Sequence, residues 1–140
     1  MTRKKLNEHI ALLREMKRLR TSRDALRAAA EPGAQVLSGM PHAPGYEDRL
    51  GNLAAEIADL SMCIERLEER VLDEEAEIIA FINEIPDAYT RTLFRLRFIR
   101  GMSWGEVASV IGGNNSAHSV RSVYRRFFSN CEKLTTRDHL

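Results

Sequence analysis

Residues 102–116 read MSWGEVASVIGGNNS, which predicts a helix start, a short helix and a turn in direct succession. Ser103 and Glu106 match the S-x-x-E capping box, in which each side chain satisfies a backbone N–H group at a helix start. We therefore expect a helix over 104–111, with four inward residues: Trp104, Val107, Ala108 and Ile111. The run Gly112–Asn115 is typical of a turn, and Ser116 can cap the next helix.

The residues before this stretch predict another short helix. Pro86 ends the preceding segment, and Asp87 is placed to cap a helix over 88–100. Gly101 is a natural stop for that helix. Its apolar side carries Tyr89, Leu93, Leu96 and Ile99.

The residues after Ser116 predict a last helix to about Asn130, with four inward residues: Val120, Val123, Phe127 and Phe128. Three short helices with a tight turn between the second and third describe a helix-turn-helix. We assign this module to residues 87–134 and a flexible tail to residues 135–140.

A heptad repeat runs from Glu47 to Ile85. Its apolar seam comprises Leu50, Leu53, Ile57, Leu60, Ile64, Leu67 and Val71. Glu74 interrupts the seam, and Ile78, Phe81 and Ile85 resume it. β-Branched residues at position a with leucine at position d favour a parallel two-stranded coiled coil. The seam is therefore the predicted oligomerisation surface of a homodimer.

Residues 4–29 predict a first helix, whose apolar stripe is Leu6, Ile10, Leu13, Met16 and Leu19. Residues 31–46 contain three prolines and three glycines, which predict a loop. The chain is therefore expected to be all-α. An N-terminal helix and a long heptad-patterned helix fill residues 1–86, as a coiled-coil stalk or a hairpin, before the three-helix module.

Charge is strongly segregated along the chain. Residues 1–30 hold nine Lys/Arg against three Asp/Glu, a net charge of +6. Residues 31–87 hold three against fourteen, a net charge of −11, and residues 88–140 hold nine against three, again +6. A basic segment is attracted to the acidic segment of the same chain or to a polyanion. The first helix can therefore pack on the long helix or contact DNA, and the sequence leaves both open.

The last helix carries a polar face opposite its apolar residues. That face comprises His118, Ser119, Arg121, Ser122 and Arg125. An α-helix fits the major groove of B-DNA, where arginine can read guanine and serine can contact several bases. The candidate phosphate contacts are Arg91, Arg97, Arg100, Asn115 and Arg126.

The run Arg91–Ala108, RTLFRLRFIRGMSWGEVA, resembles region 4 of sigma-70-type factors. Ser116, Val120-Arg121 and Val123 are similar to the start and core of that family's recognition helix. The stretch from about Leu50 onward also resembles phage and prophage late transcription regulators of the ArpU/RinA type. These resemblances imply base or backbone contacts from Ser116, His118, Ser119, Arg121, Ser122 and Arg125.

The expected function is that of a sequence-specific DNA-binding protein, a phage or prophage transcriptional regulator acting at promoters. Double-stranded DNA is the expected partner, with RNA polymerase as a further candidate. One alternative is a DNA-packaging protein similar to a small terminase subunit. Another is a protein-interaction module that engages RNA polymerase or a sigma factor without touching DNA.

Other classes of function lack a signal. The chain has no glycine-rich phosphate loop, no nucleophile motif and no metal-ligand spacing at Cys63 and Cys131. We therefore expect no enzyme activity, metal, cofactor or small-molecule substrate. No run of about 18 apolar residues is present, so no membrane association is expected. The predicted location is the cytoplasm of a bacterial cell, in association with the nucleoid.

Overall fold

A computed structural model describes residues 1–31 and 46–137 of the chain. Those residues are mainly helical, and no β-strand occurs among them, so the predicted all-α class is confirmed. The helices are α1 (Arg3–Ala30), α2 (Tyr46–Asn83), α3 (Ala88–Phe94) with a π-helical turn directly after it (Arg95–Ile99), α4 (Trp104–Ile111) and α5 (Ala117–Arg137). The predicted loop 31–46 lies outside the described residues except at its two ends, and the predicted tail 135–140 lies outside them from residue 138 onward.

The chain divides into two compact units. We call Leu12–Val71 the central unit, and Met1–Ala11 together with Leu72–Leu140 the terminal unit. This division falls within α1 and α2, whereas the sequence predicts a boundary at residue 86. The expected helix-turn-helix module lies wholly within the terminal unit.

In the central unit, α1 and α2 pack through a small apolar core. This core comprises Leu12, Met16 and Val71, with Leu13 and Leu67 packed against it. Arg20 donates from Nη2 to Glu68 Oε1 at 2.8 Å. Arg20 follows Met16 in α1, whereas its partner Glu68 precedes Val71 in α2. The two helices therefore run antiparallel in the central unit, as the hairpin alternative requires. Burial of each large side chain is worth about 1.5–3 kcal/mol, whereas an exposed ion pair is worth about 1 kcal/mol at most. The apolar core therefore dominates.

An aromatic cluster forms the core of the terminal unit. It contains Trp104, Tyr124 and all five phenylalanines of the chain, which are Phe81, Phe94, Phe98, Phe127 and Phe128. Phe94 lies at its centre, with ring centroids 5.2 Å from Phe127 and 5.6 Å from Phe98 in edge-on pairs. Such pairs add about 0.5–1.5 kcal/mol each beyond the burial of their area. The cluster joins α2, α3, α4 and α5 and thereby fixes the position of α5.

The start and end of α3 follow local signals. Asp87 Oδ2 accepts hydrogen bonds from the backbone N of Thr90 at 3.0 Å and from its hydroxyl at 2.7 Å, which confirms the predicted N-cap. The predicted helix over 88–100 is nevertheless not uniform, because Arg95–Ile99 form a π-helical turn. Its backbone bonds reach five residues back, as from the N–H of Arg100 to the carbonyl of Arg95. Gly101 then adopts φ 70°, the left-handed conformation that ends many helices.

Some inward and outward positions differ from the prediction. Tyr89 is exposed, although the periodicity places it on the apolar side of α3. In α5 the buried stripe is Val120, Tyr124 and Phe128, while Val123 and Phe127 are half-buried. The stripe follows steps of four residues, because the Tyr124 ring packs among Phe94, Phe98 and Trp104. α5 also continues to Arg137, beyond the expected end at Asn130.

Candidate nucleic-acid interface

α4 is held in place at both of its ends. The predicted capping box is confirmed: Ser103 Oγ accepts from the Glu106 backbone N at 3.2 Å, and Glu106 Oε2 accepts from the Ser103 N at 3.1 Å. At the other end Gly112 adopts φ 75° and donates its N–H to the Ala108 carbonyl. Between these ends Val107 and Ala108 are buried, and the helix packs against α5. α4 therefore supports α5, as the first helix of the motif should.

The turn between α4 and α5 is closed by an asparagine. Gly112 and Gly113 both have positive φ, which glycine adopts without steric cost. Asn115 Nδ2 donates to the Gly112 carbonyl at 2.9 Å, and the Tyr89 hydroxyl donates to Asn115 Oδ1 at 3.3 Å. The side chain of Asn115, a predicted phosphate contact, is thus engaged in holding the turn.

Two serines cap α5 reciprocally. Ser116 Oγ accepts from the backbone N of Ser119 at 3.1 Å, and Ser119 Oγ accepts from the Ser116 N at 2.9 Å. Ser119 Oγ also lies 3.0 Å from the Ser116 carbonyl and donates to it. One turn later, the Ser122 hydroxyl donates to the His118 carbonyl at 2.8 Å. The three predicted base-reading serines therefore bond to their own helix.

The remaining predicted base readers lie on the exposed face of α5. His118, Arg121 and Arg125 are exposed, opposite the buried stripe. Together with Trp104 and Ala117, these three line a shallow depression between α4 and α5. Within residues 1–31 and 46–137, neither Arg121 nor Arg125 forms an ion pair or a side-chain hydrogen bond. Both guanidinium groups can therefore donate to an external acceptor.

The predicted phosphate contacts fall into two groups. Arg91 donates to the carbonyls of Ile85 and Pro86, at 2.6 and 2.9 Å, and so fastens the α2–α3 junction. Arg97 donates to the Met102 carbonyl at 2.7 Å, and its Cζ lies 5.0 Å from the Trp104 ring centroid. Both arginines thus stabilise the module itself. The exposed members of the set are Arg100 and Arg126.

Trp104 lies differently from its predicted position. The sequence places it in the core, but it is half-buried and forms one wall of the depression. Its ring centroid lies 5.3 Å from that of Tyr124, and Arg97 covers its face. Its half-burial could have been expected from the sequence, because Trp104 is the first residue of α4 and so lies at the edge of the contact between α4 and α5.

The charge of the module favours an anion. Residues 88–140 carry a net charge of +6. Two carboxylates of the module act as helix caps, Glu106 at the start of α4 and Asp87 at the start of α3. Hydrogen bonds from the Thr90 hydroxyl and then from the Thr90 backbone hold the pKa of Asp87 below its usual value. Both carboxylates therefore serve helix starts, while the face with Arg121 and Arg125 stays uncompensated.

The predicted oligomerisation seam is partly buried within the single chain. Ile64 and Val71 are buried, and Val71 packs with Leu12 and Met16 of α1. The other predicted seam residues are half-buried: Leu50, Leu53, Ile57, Leu60 and Leu67. Two of the seam positions therefore already serve the intrachain hairpin.

Metal sites and membrane-spanning helices are both absent from the described part of the chain. No three His, Cys, Asp or Glu side chains among these residues are grouped so as to bind a metal ion. None of the described helices combines the length and the apolar character needed to cross a membrane.

Comparisons with protein families, with curated proteins and with solved structures give no match for this chain.

Proposed function

We propose that this chain is a sequence-specific double-stranded DNA-binding protein that reads the major groove with α5. The observation that carries the proposal is the pair Arg121 and Arg125, four residues apart and exposed beside His118 on one face of a capped helix. Arginine recognises guanine through two parallel hydrogen bonds, and a guanidinium without an internal partner has all of its N–H donors available for them. The serine hydroxyls of α5 have backbone partners, so base reading rests on the two arginines and the histidine.

Phosphate contacts belong to a second set of residues in this proposal. Arg100 and Arg126 are exposed and can meet the DNA backbone beside the groove. Such contacts set affinity and its salt dependence, whereas base contacts set sequence choice. The resemblance to sigma region 4 and to phage late regulators extends the proposal to transcriptional regulation at promoters, with RNA polymerase as a second partner.

Dimerisation is the third part of the proposal. A parallel dimer through the whole seam would require α1 to leave α2, because Ile64 and Val71 are already covered within one chain. We therefore assign the dimer contact to the half-buried seam residues before Ile64: Leu50, Leu53, Ile57 and Leu60. Two DNA-reading helices in a dimer would favour a site with two half-sites.

Selection of bound sequences from a random duplex pool tests the proposal. We expect enrichment of one motif with guanines at fixed positions, and we expect binding to weaken steeply as salt rises. The matched control is the double variant Arg121→Gln/Arg125→Gln, which should bind weakly and enrich no motif. Light scattering on the same samples gives the oligomeric state.

Three outcomes would count against it. Absence of DNA binding at low salt favours a module that engages a protein partner through its basic face. Salt-dependent binding without any enriched motif removes sequence specificity from the proposal. A ring of eight or more subunits favours the DNA-packaging alternative over a regulator.

A further inference from the structure

The first residues of α1 belong to the same compact unit as α5. Leu6 is fully buried and Ile10 nearly so, which anchors the helix start in this unit. Thr2 caps the helix: its hydroxyl accepts from the Lys5 backbone N at 3.2 Å, and its carbonyl accepts from the Leu6 N at 3.1 Å. Arg3, which lies between the cap and the anchor, therefore has a defined place on the helix.

Arg3 lies close to the candidate DNA-binding face. Its Cζ is 5.7 Å from the Tyr124 ring centroid, and that centroid is 5.3 Å from the ring of Trp104. These two steps limit the distance from the Arg3 Cζ to the Trp104 ring centroid to 11.0 Å at most. Trp104 itself lines the depression with Arg121 and Arg125. That upper limit is close to one Debye length, about 8–10 Å at moderate salt, so the charge of Arg3 adds to the positive potential near the wall of that depression.

The charge of Arg3 is not neutralised within the described residues. Arg3 is exposed, and it forms no ion pair or side-chain hydrogen bond there. Its neighbour Lys4 differs, because its Nζ lies 4.0 Å from Glu8 Oε1. Contact with the Tyr124 ring orients the Arg3 side chain without compensating its charge, since an aromatic ring carries no net charge.

We propose that Arg3 is a phosphate-contacting residue of the DNA-binding surface, which thereby extends from α5 to the start of α1. This inference rests on the proposed DNA binding. The sequence leaves packing and DNA contact as alternatives for α1, and in this proposal the helix does both. Leu6 and Ile10 pack in the terminal unit, while Arg3 contacts DNA. The expected ligand chemistry is the phosphodiester backbone, because Arg3 stands outside the base-reading face of α5.

Salt titration of DNA binding tests this role. Each phosphate neutralised by a cationic side chain contributes about 0.9 to the slope of log K against log salt concentration. Arg3→Gln should therefore lower the slope by about one ion on a duplex of any sequence. Between about 50 and 200 mM salt the unaltered chain should lose about three- to fourfold more affinity than this variant. Arg3→Lys should keep the slope, because it keeps the charge.

The matched control is Arg14→Gln, which removes the same charge from an exposed position of α1 in the central unit. We expect the slope of this variant to equal that of the unaltered chain. A purely structural role for Arg3 predicts a lower melting temperature for Arg3→Gln with an unchanged salt slope, and that result overturns the inference alone. Absence of DNA binding by the unaltered chain overturns both the inference and the proposed function.

Discussion

The Nδ1 atom of His9 lies 2.9 Å from Oε2 of Glu74, and His9 is only 1% exposed. Glu74 is the residue that interrupts the heptad seam of α2 at position d. The interruption therefore has a structural reason, because the carboxylate bonds a histidine that α1 buries against it. A buried imidazole needs such a partner, since an unpaired buried polar group costs free energy.

This pair leads to a prediction on stability. Glu74→Leu should lower the free energy of unfolding by about 1–3 kcal/mol, because it leaves a buried imidazole nitrogen without its partner. The double variant His9→Leu/Glu74→Leu should recover most of that loss, since apolar replacement of a buried polar pair is often neutral or stabilising. Urea denaturation of the two single variants, the double variant and the parent gives the coupling energy. Additive effects of the two substitutions would contradict the prediction.

The seam residue Ile64 separates intrachain packing from dimerisation. It is 1% exposed in a single chain, so Ile64→Asp should destabilise the monomer by several kcal/mol by burying an unpaired charge. Leu72→Asp is the control, because Leu72 lies on the same helix and is 66% exposed. The free energy of unfolding of that control should lie within about 0.5 kcal/mol of the value for the parent.

Denaturation at two protein concentrations completes that test. Loss of intrachain packing lowers the unfolding midpoint of Ile64→Asp equally at both concentrations. The parent is also diluted until it is a monomer, and its unfolding midpoint is compared with that of Ile64→Asp. If the two midpoints are then equal, Ile64 serves the dimer contact and not the hairpin.

The cap of α3 predicts a dependence of stability on pH. The pKa of Asp87 is lowered in the folded chain, first by the Thr90 hydroxyl and then by the Thr90 backbone N–H. A carboxyl whose pKa is lowered in the folded state stabilises the fold at pH values above its ordinary pKa of 3.8. This stabilisation is lost as the pH falls through the pKa of the folded state. The melting temperature of Asp87→Asn should therefore lie below that of the parent at about pH 7, and the difference should shrink as the pH falls below 3.8. In a Thr90→Val background, which lacks the hydroxyl donor, the difference in melting temperature between Asp87 and Asp87→Asn should be smaller.

The capping signals of the terminal unit could be predicted because they are local. Asp87, Ser103 and Glu106 act on backbone groups three residues away, and their residue types and spacing state the bond directly. The same holds for Gly101 and Gly112, whose positive φ ends a helix. The all-α class follows from these signals together with the heptad repeat.

The burial of Tyr124 and the roles of Arg91 and Arg97 could not be predicted in this way. Tyr124 is buried because rings from α3 and α4 surround it, and a polar hydroxyl gives no hint of that. The arginines resemble surface charges in the sequence, but their partners are backbone carbonyls exposed by the junction and by the end of the π-helical turn. Tertiary contacts therefore decide which basic side chains can donate to an acceptor outside the chain.

Arg97 and Arg100 should differ in what their replacement affects. Arg97→Ala removes a charged hydrogen bond to the Met102 carbonyl and the contact with Trp104, so it should lower stability by about 2 kcal/mol. Arg100→Ala should leave stability unchanged and lower the salt slope of DNA binding by about one ion. Thermal melts and salt titrations of both variants check this. Equal melting temperatures for the two would show that the Arg97 contacts contribute little.

Arg121 and Arg125 should decide sequence recognition. If α5 enters the major groove, each change to alanine should cost about 1–3 kcal/mol on the selected site and relax the choice of one base. Ser122→Ala is the matched control on the same helix, because its hydroxyl donates to the His118 carbonyl. That variant should select the same motif with nearly the same affinity.

The comparison between specific and random duplexes separates base recognition from phosphate binding. Replacing a base-reading arginine weakens binding to the selected site far more than to random DNA, whereas replacing a phosphate-binding arginine weakens both equally. Equal weakening by Arg121→Ala and Arg125→Ala on both kinds of duplex would move base recognition away from these arginines. If both variants fold normally and bind every duplex as the parent does, α5 is not the reading helix. The exposed pair then belongs to a surface for an acidic protein partner, because a charged face without internal compensation still attracts a negatively charged one.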